Sequence, residues 1–352
     1  MFRYFFNKIP RITFLRKCVF IGIIFFMLLN VSFLKSQDPV FTQFHQSPLH
    51  LNPAFAGNSY APIVNLNTRI QWPSINFAYK TYFFSVDKFF KENNFGAGLD
   101  IVMDDSGNGI YKRFKIEVVG AYRLQIQENN FFKMGLSAAY GNNSLDWDKL
   151  IFGDMIDPSF GYRLPDGSSL PTSEIRPDKL TVNYIDLSAG LLYYSEVFYI
   201  GIGIKHANTP KNYYFSNQDN VNSGLPVRFA AQIGGEFDLA YENVYKKIFL
   251  SPSLLFVSQG GSKQLTFNSY INFGPVFAGI GFRYDFYNPD ATLFSVGLTK
   301  EMFKIAYSFD YTVSKLGISS GGSHEIGISI NFENSTLYKK PYRYSDCFEM
   351  YR

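Results

Sequence analysis

From about residue 60 onward the chain alternates apolar and polar positions with a period of two, segment after segment. The clearest run is Val276 to Tyr287. Val276, Ala278, Ile280, Phe282, Tyr284 and Phe286 share one face there, and Phe277, Gly279, Gly281, Arg283, Asp285 and Tyr287 share the other. Phe303, Ile305, Tyr307, Phe309, Tyr311 and Val313 likewise oppose Met302, Lys304, Ala306, Ser308, Asp310 and Thr312. Successive side chains of a strand point to opposite sides of the pleat, so this is the pattern of strands with one apolar face. A water-soluble sandwich has the same alternation, and periodicity alone does not separate it from a barrel. Length and aromatic placement do. The segments run about ten to thirteen residues, close to the ~9–11 that cross a bilayer at a tilt and longer than the ~5–6 typical of globular strands. Tyr and Phe recur near their ends, where an interfacial girdle requires them.

Fourteen such segments are expected, near 62–72, 76–87, 94–104, 110–124, 131–142, 181–194, 197–208, 225–239, 246–258, 263–273, 276–287, 291–300, 302–313 and 323–332. The even-numbered connections are mostly short, as at Ser195-Glu196, Gly274-Pro275 and Lys300-Glu301, while the odd-numbered ones include 143–180, 209–224 and 314–322. Bacterial outer-membrane barrels have that asymmetry, and closure leaves no backbone group bare in lipid. The pattern predicts an all-β, closed antiparallel transmembrane β-barrel of about fourteen strands (range 12–16) over residues 61–332. An N-terminal periplasmic segment, 37–60, precedes it, either plug-like against the barrel mouth or a seal for the first strand, and a periplasmic tail, 333–352, follows. The inward-facing set is expected to include Arg69, Asp100, Arg113, Lys115, Glu117, Arg123, Lys205, Arg228, Glu236, Arg283, Asp285, Lys304 and Asp310. Both signs are mixed, which favours a packed, ion-paired interior over an open channel.

Composition agrees with strands beside lipid. Phe (38) and Tyr (25) dominate the aromatics, and charged residues make up 18%, below the roughly 25% of soluble domains. The mean hydropathy of −0.07 is too polar for a bundle of membrane helices. Residues 1–36 read as a cleaved secretory signal: Arg3, Lys8, Arg11, Arg16 and Lys17 precede an apolar run from Cys18 to Leu29, which is short for a spanning anchor. Its removal takes away six basic residues and no acidic ones, leaving 27 basic against 29 acidic. That balance gives no footprint for nucleic acid. Cys347 alone remains, an unpaired thiol without an intrachain disulfide partner.

The candidate chemistry is thin. Gly234-Gly235-Glu236-Phe237 resembles the signature of cyclic-dinucleotide synthases, yet it lacks an acidic residue and lies within an alternating strand. It reads as a lumen wall followed by a lumen carboxylate. Asp104 to Gly109 begins like a calcium loop, but Lys115 stands where a bidentate Glu is needed, so a hairpin turn is expected. The spacing of His45 and His50 matches no zinc site, and Asp146, Asp148, Asp154 and Asp157 read as a solvated acidic loop. No serine elbow, phosphate loop or Cys-His pair is present; neither an enzyme nor a metal or cofactor site is expected.

The segment after the signal reads Gln37-Asp38-Pro39-Val40-Phe41-Thr42-Gln43-Phe44, then Ser47 to Gly57 with Asn52-Pro53-Ala54 at its centre. Arg69, Gln71 and Trp72 follow, and Tyr307 to Tyr311, Ser323-His324-Glu325-Ile326 and Cys347 close the chain. In these motifs the sequence resembles the PorP/SprF family. Phe348 stands where family tails often place Pro. The resemblance implies an outer-membrane component of the type IX secretion system of Bacteroidota, whose members include some that serve gliding motility. It implies as partners outer-membrane lipid, other type IX secretion proteins and a large secreted cargo with a C-terminal sorting domain, such as a gliding adhesin. The motif positions carried over are Asn52, Pro53, Ala54, Gly57, Arg69, Gln71, Trp72, Asp310, His324, Glu325 and Cys347. The alternative class is a passive outer-membrane channel or hydrophobic-solute transporter, because barrels of different function look alike outside their motifs.

Overall fold

The computed structural model describes residues 37–352 apart from 76–77, 215–223, 244–245, 287, 315–316, 336 and 339–345. The expected signal sequence, residues 1–36, lies outside the described residues. The alternating segments form β1 (Ile63–Gln71), β2 (Tyr79–Phe90), β3 (Phe95–Ser106), β4 (Tyr111–Gln127), β5 (Asn130–Leu145), β6 (Thr181–Tyr194), β7 (Phe198–Lys205), β8 (Arg228–Gly235), β9 (Phe237–Asn243), β10 (Lys246–Gln259), β11 (Ser262–Phe273), β12 (Val276–Asp285), β13 (Asn288–Lys300), β14 (Phe303–Thr312) and β15 (Ser323–Asn331). Every pairing between them is antiparallel.

β15 returns to β1, from Ile63 opposite Asn331 to Gln71 opposite Ser323, so the sheet closes on itself. β8 and β9 pair with successive parts of β10 and share one place in the ring, interrupted at Glu236. The result is a closed barrel of fourteen positions. Among the described residues, the strand place shared by β8 and β9 is interrupted where Glu236 lies buried between Gly235 and Phe237.

One rim carries short turns, at 91–94, 128–129, 195–197, 274–275 and 301–302; the other carries the long connections 146–180, 206–227 and 313–322. The Asp104 to Gly109 stretch is a hairpin turn. Gly107, Asn108 and Gly109 all have positive φ (71°, 54° and 88°), which Gly and Asn tolerate best, and the Asp105 carboxylate accepts the Gly109 N–H at 2.5 Å.

The period-two alternation appears directly as burial. On neighbouring strands Val118 and Leu136 are 62% and 70% exposed, whereas the adjoining Glu117 and Val119 are 0% and 2%. The outward row of β12, Val276, Ile280, Phe282 and Tyr284, is exposed, and Phe277 and Arg283 are buried. Such a continuous apolar belt is untenable in water and is the face a bilayer covers. The charges point the other way, into an interior that protein fills.

Candidate functional site

The filling comes from the two ends of the described chain. Residues 38–62 run inside the ring from the long-loop rim, where the Asp38 N–H reaches the Gln259 side chain at 2.8 Å, to the short-turn rim, where β1 begins. Three short helical turns, Phe44–Gln46, Pro48–Leu51 and Pro53–Phe55, shorten the segment on its way. Two of them start on proline, whose missing N–H costs nothing at a first helical position. Phe41, Phe44, Leu49, Leu51, Ala54 and Phe55 are all buried, as are the polar side chains between them.

The segment is fixed at three levels. The first centres on Thr42. Its N–H and that of Gln43 donate to the two oxygens of Glu325, at 2.8 and 2.9 Å. The Thr42 hydroxyl donates to Asp310 at 2.8 Å and accepts from Arg69 at 2.9 Å and Arg283 at 2.6 Å. Arg69 also pairs with Asp310 at 2.7 Å and Glu325 at 3.2 Å, and Arg283 pairs with Asp310 at 2.8 Å. Two cations thus face two carboxylates, all buried, and the plug hydroxyl sits among them. Removing one member strands the rest, at a cost of roughly 3–5 kcal/mol.

The second level lies at the long-loop rim. Asp38 pairs with Arg113 and lies 2.6 Å from Nε2 of His206, whose Nδ1 is 2.9 Å from Asp186. Burial pushes the Asp38 carboxyl up, but His206, Arg113 and Arg228 outweigh it and hold it well below the usual carboxylate range. Beneath, Lys115 and Lys205 share Glu117 at 2.7 and 2.9 Å.

The third level is the Asn52-Pro53-Ala54-Phe55-Ala56-Gly57 stretch, which lies directly on the wall. The Asn52 side-chain oxygen Oδ1 caps its own turn by accepting the Ala54 N–H at 2.8 Å, and its side-chain Nδ2 donates to the Leu191 carbonyl at 3.0 Å. A Cβ placed on Gly190 would stand 1.9 Å from Asn52 Oδ1, and one on Gly135 would stand 2.4 Å from the Ala54 nitrogen. Only glycine lets two backbones approach so closely. Lys133 donates to the carbonyls of Ala56 (2.7 Å) and Gly57 (3.3 Å), and Asp87 accepts the Gly57 N–H at 2.7 Å.

Between the levels sits His45, edge-on to Tyr270 with ring centroids 4.9 Å apart. Burial, reinforced by Lys304, pushes its imidazole down to about 3, so it is a neutral packing group.

The tail completes the filling at the short-turn rim. Phe348 packs against Phe55, Tyr194 and Tyr199 with centroids 5.7, 5.0 and 5.4 Å apart, and Tyr351 stacks on Phe55 at 5.3 Å. Cys347 is buried and unpaired, and burial pushes its thiol up, away from reactivity.

The positions singled out in the sequence therefore divide. Asn52, Pro53, Ala54 and Gly57 belong to the plug, Arg69, Asp310 and Glu325 hold it, and Cys347 lies in the tail beneath it. Gln71 ends β1 at the long-loop rim, and Trp72 follows it, set edge-on to Tyr79 at 5.8 Å. His324 faces outward, its Nδ1 2.7 Å from the Tyr307 hydroxyl, on the opposite side of β15 from Glu325. Of the expected inward set, Arg123 and Asp285 are half-buried and the others buried. The roles of Asp38 and Thr42 on the plug, of Lys133 and His206 on the wall, and of Asp186 behind His206 were not anticipated. The signal for the wall contacts was glycine at inward positions of long strands.

Among the described residues no group of three or more His, Cys, Asp or Glu is placed to hold a metal ion, and the Asp154 carboxylate is taken up by Thr172 and Ser173. Against solved structures the chain is similar to the KdgM porin (9% identity, TM-score 0.33, 77% of this chain and 99% of that one). It is similar also to outer membrane protein Omp33 of Acinetobacter baumannii (9%, 0.39, 78% and 100%). A FadL homologue of Pseudomonas aeruginosa matches at 11% identity and 0.40, over 79% and 93%. No curated protein matches the chain. The sequence profile described as type IX secretion system membrane protein PorP/SprF matches residues 33–330. With its closed barrel, apolar belt and family motifs accounted for, the chain belongs to the PorP/SprF family and is an outer-membrane component of the type IX secretion system.

Proposed function

We propose that this barrel is a docking body for secreted cargo: it receives or anchors one large surface protein with a C-terminal sorting domain, such as a gliding adhesin, and does so without catalysis. In this reading residues 1–36 are the removed signal, the short-turn rim and the tail face the periplasm, and the long connections face outward. The observation that carries it is the filled interior. The Asp38–Arg113 ion pair and the hydrogen bonds of Thr42 to the buried Arg69, Asp310 and Glu325 tie the plug to the wall, and the tail packs beneath it, which suits a rigid platform better than a conduit. Family membership supports contact with other secretion components and the membrane.

Deletion of the gene tests the proposal. Loss of one surface adhesin with unchanged permeability to small solutes is the expected result, accompanied by recovery of secretion-machinery partners from detergent extracts of the wild type. Normal adhesin display in the deletion, or steady ion conductance of the purified barrel in planar bilayers, overturns it in favour of a passive channel.

A further inference from the structure

The short-turn end of the lumen contains a site built to hold a peptide. Glu236 turns inward at the interruption between β8 and β9 and is buried; its carboxylate accepts the backbone N–H of Glu349 at 3.1 Å and of Met350 at 2.7 Å. Lys304, buried on β14, donates its ammonium to the Met350 carbonyl at 2.9 Å. Among the described residues the side-chain hydrogen bonds of these two wall charges go to main-chain atoms of the tail. Such a clamp reads the backbone and is indifferent to the side chains it holds.

Selectivity comes from the aromatic wall. Phe348 enters between Tyr194, Tyr199 and Phe55. Three residues on, Tyr351 stacks on Phe55 and its hydroxyl lies 2.6 Å from that of Tyr199. Main-chain hydrogen bonds for affinity and aromatic pockets for specificity are how peptide-recognition grooves are made.

We infer that this niche is a peptide receptor filled in cis, and that a partner segment carrying two aromatic residues separated by two others enters it by displacing the tail. The tail is the template for that occupant. Glu236 and Lys304 accept any backbone in the same pose, and the Tyr194, Tyr199 and Phe55 rings require the aromatic pair. The inference goes beyond the cargo reading and does not depend on it.

The test uses the full chain in detergent and a fluorescein-labelled heptapeptide, Asp-Ser-Phe-Glu-Met-Tyr-Arg, which copies residues 346–352 with serine in place of cysteine. The double variant Phe348→Ala/Tyr351→Ala loosens the tail without altering the wall. Fluorescence anisotropy is expected to give binding to this variant on the order of ten-fold or more tighter than to wild type, where the tethered tail competes at high effective concentration. Adding Glu236→Gln to the double variant is expected to weaken that binding about ten-fold, and a peptide with both aromatics replaced by alanine is expected not to bind. Absence of binding to a loosened variant with wild-type gel mobility overturns the inference, as does equal binding of the alanine peptide. If the double variant does not fold, the peptide is offered to folded wild-type chain cut at a protease site inserted after Tyr338. Exchange of the label into the barrel supports the receptor, and failure to exchange overturns it.

Discussion

The two ends of the lumen hold their contents by different physics. Toward the long-loop rim the plug is fixed by charge: Asp38 among Arg113 and His206, and Thr42 inside the Arg69, Asp310, Glu325 and Arg283 group. Toward the short-turn rim the charges Lys133, Asp87, Glu236 and Lys304 bind main-chain atoms of the plug and tail, and the packing is steric and aromatic, with Asn52 and Ala54 laid on glycines and Phe55, Phe348 and Tyr351 in contact. A buried ion-pair group is all-or-none, since one lost partner leaves the others desolvated and unpaired. An aromatic packing site gives way in steps, ring by ring. The charged end therefore sets the register of the plug, and the aromatic end is where an occupant can be exchanged.

Five changes break or sharpen that contrast. Asp310→Ala strands Arg69 and Arg283 and is expected to cost roughly 3–5 kcal/mol; unfolding midpoints in urea, followed by gel mobility, check it. A double change, Asp310→Ala with Thr42→Ala, is then expected to be far from additive because both act in one network. At the other end, Gly135→Val drives side-chain atoms into the Ala54 backbone and is expected to cost about 1–3 kcal/mol. It should make the 37–60 segment cleavable by protease while the barrel survives.

Acidification acts between the two ends. His45 is held at about 3 against an ordinary 6.5, so above 6.5 it is neutral folded or unfolded and contributes no pH dependence. Below 6.5 the unfolded chain takes up a proton that the folded one refuses, and stability falls by roughly 1.4 kcal/mol per pH unit until about 3. His45→Gln is expected to flatten that slope, measured as urea midpoints between pH 6.5 and pH 4. The smallest effect is expected for Val296→Thr on the lipid face, within about 0.5 kcal/mol and without change in plug protection; Val296 is half exposed on the outward belt and touches neither cluster.

The barrel was legible because a bilayer imposes one rule on every strand. The runs around Val276 and Phe303 state that rule without help from distant residues, and the fourteen expected segments correspond to the fourteen observed positions. The site was legible only in part. Arg69, Asp310 and Glu325 could be placed as inward or motif residues, but nothing local says that Thr42 is what they enclose. Asp38 and His206 are 168 residues apart and meet only because the ring closes. His324 stands beside Glu325 in the same family motif, and the pleat turns it outward to Tyr307, so that motif supplies both faces of the strand. The break at Glu236 was hidden because alternation continues across it, with Ile233 and Phe237 exposed and Glu236 buried.

The junction of first and last strands has a consequence for assembly. Thr42 is bonded to a carboxylate 283 residues further along the chain, on the strand that closes the ring against β1. Until that final hairpin is threaded, half of the Thr42 socket does not exist, and the leading segment has only its anchors on the earlier strands, at Arg113, Lys133 and His206. Contacts of such long range form late. The Thr42 level is therefore expected to lock only on the step that closes the ring.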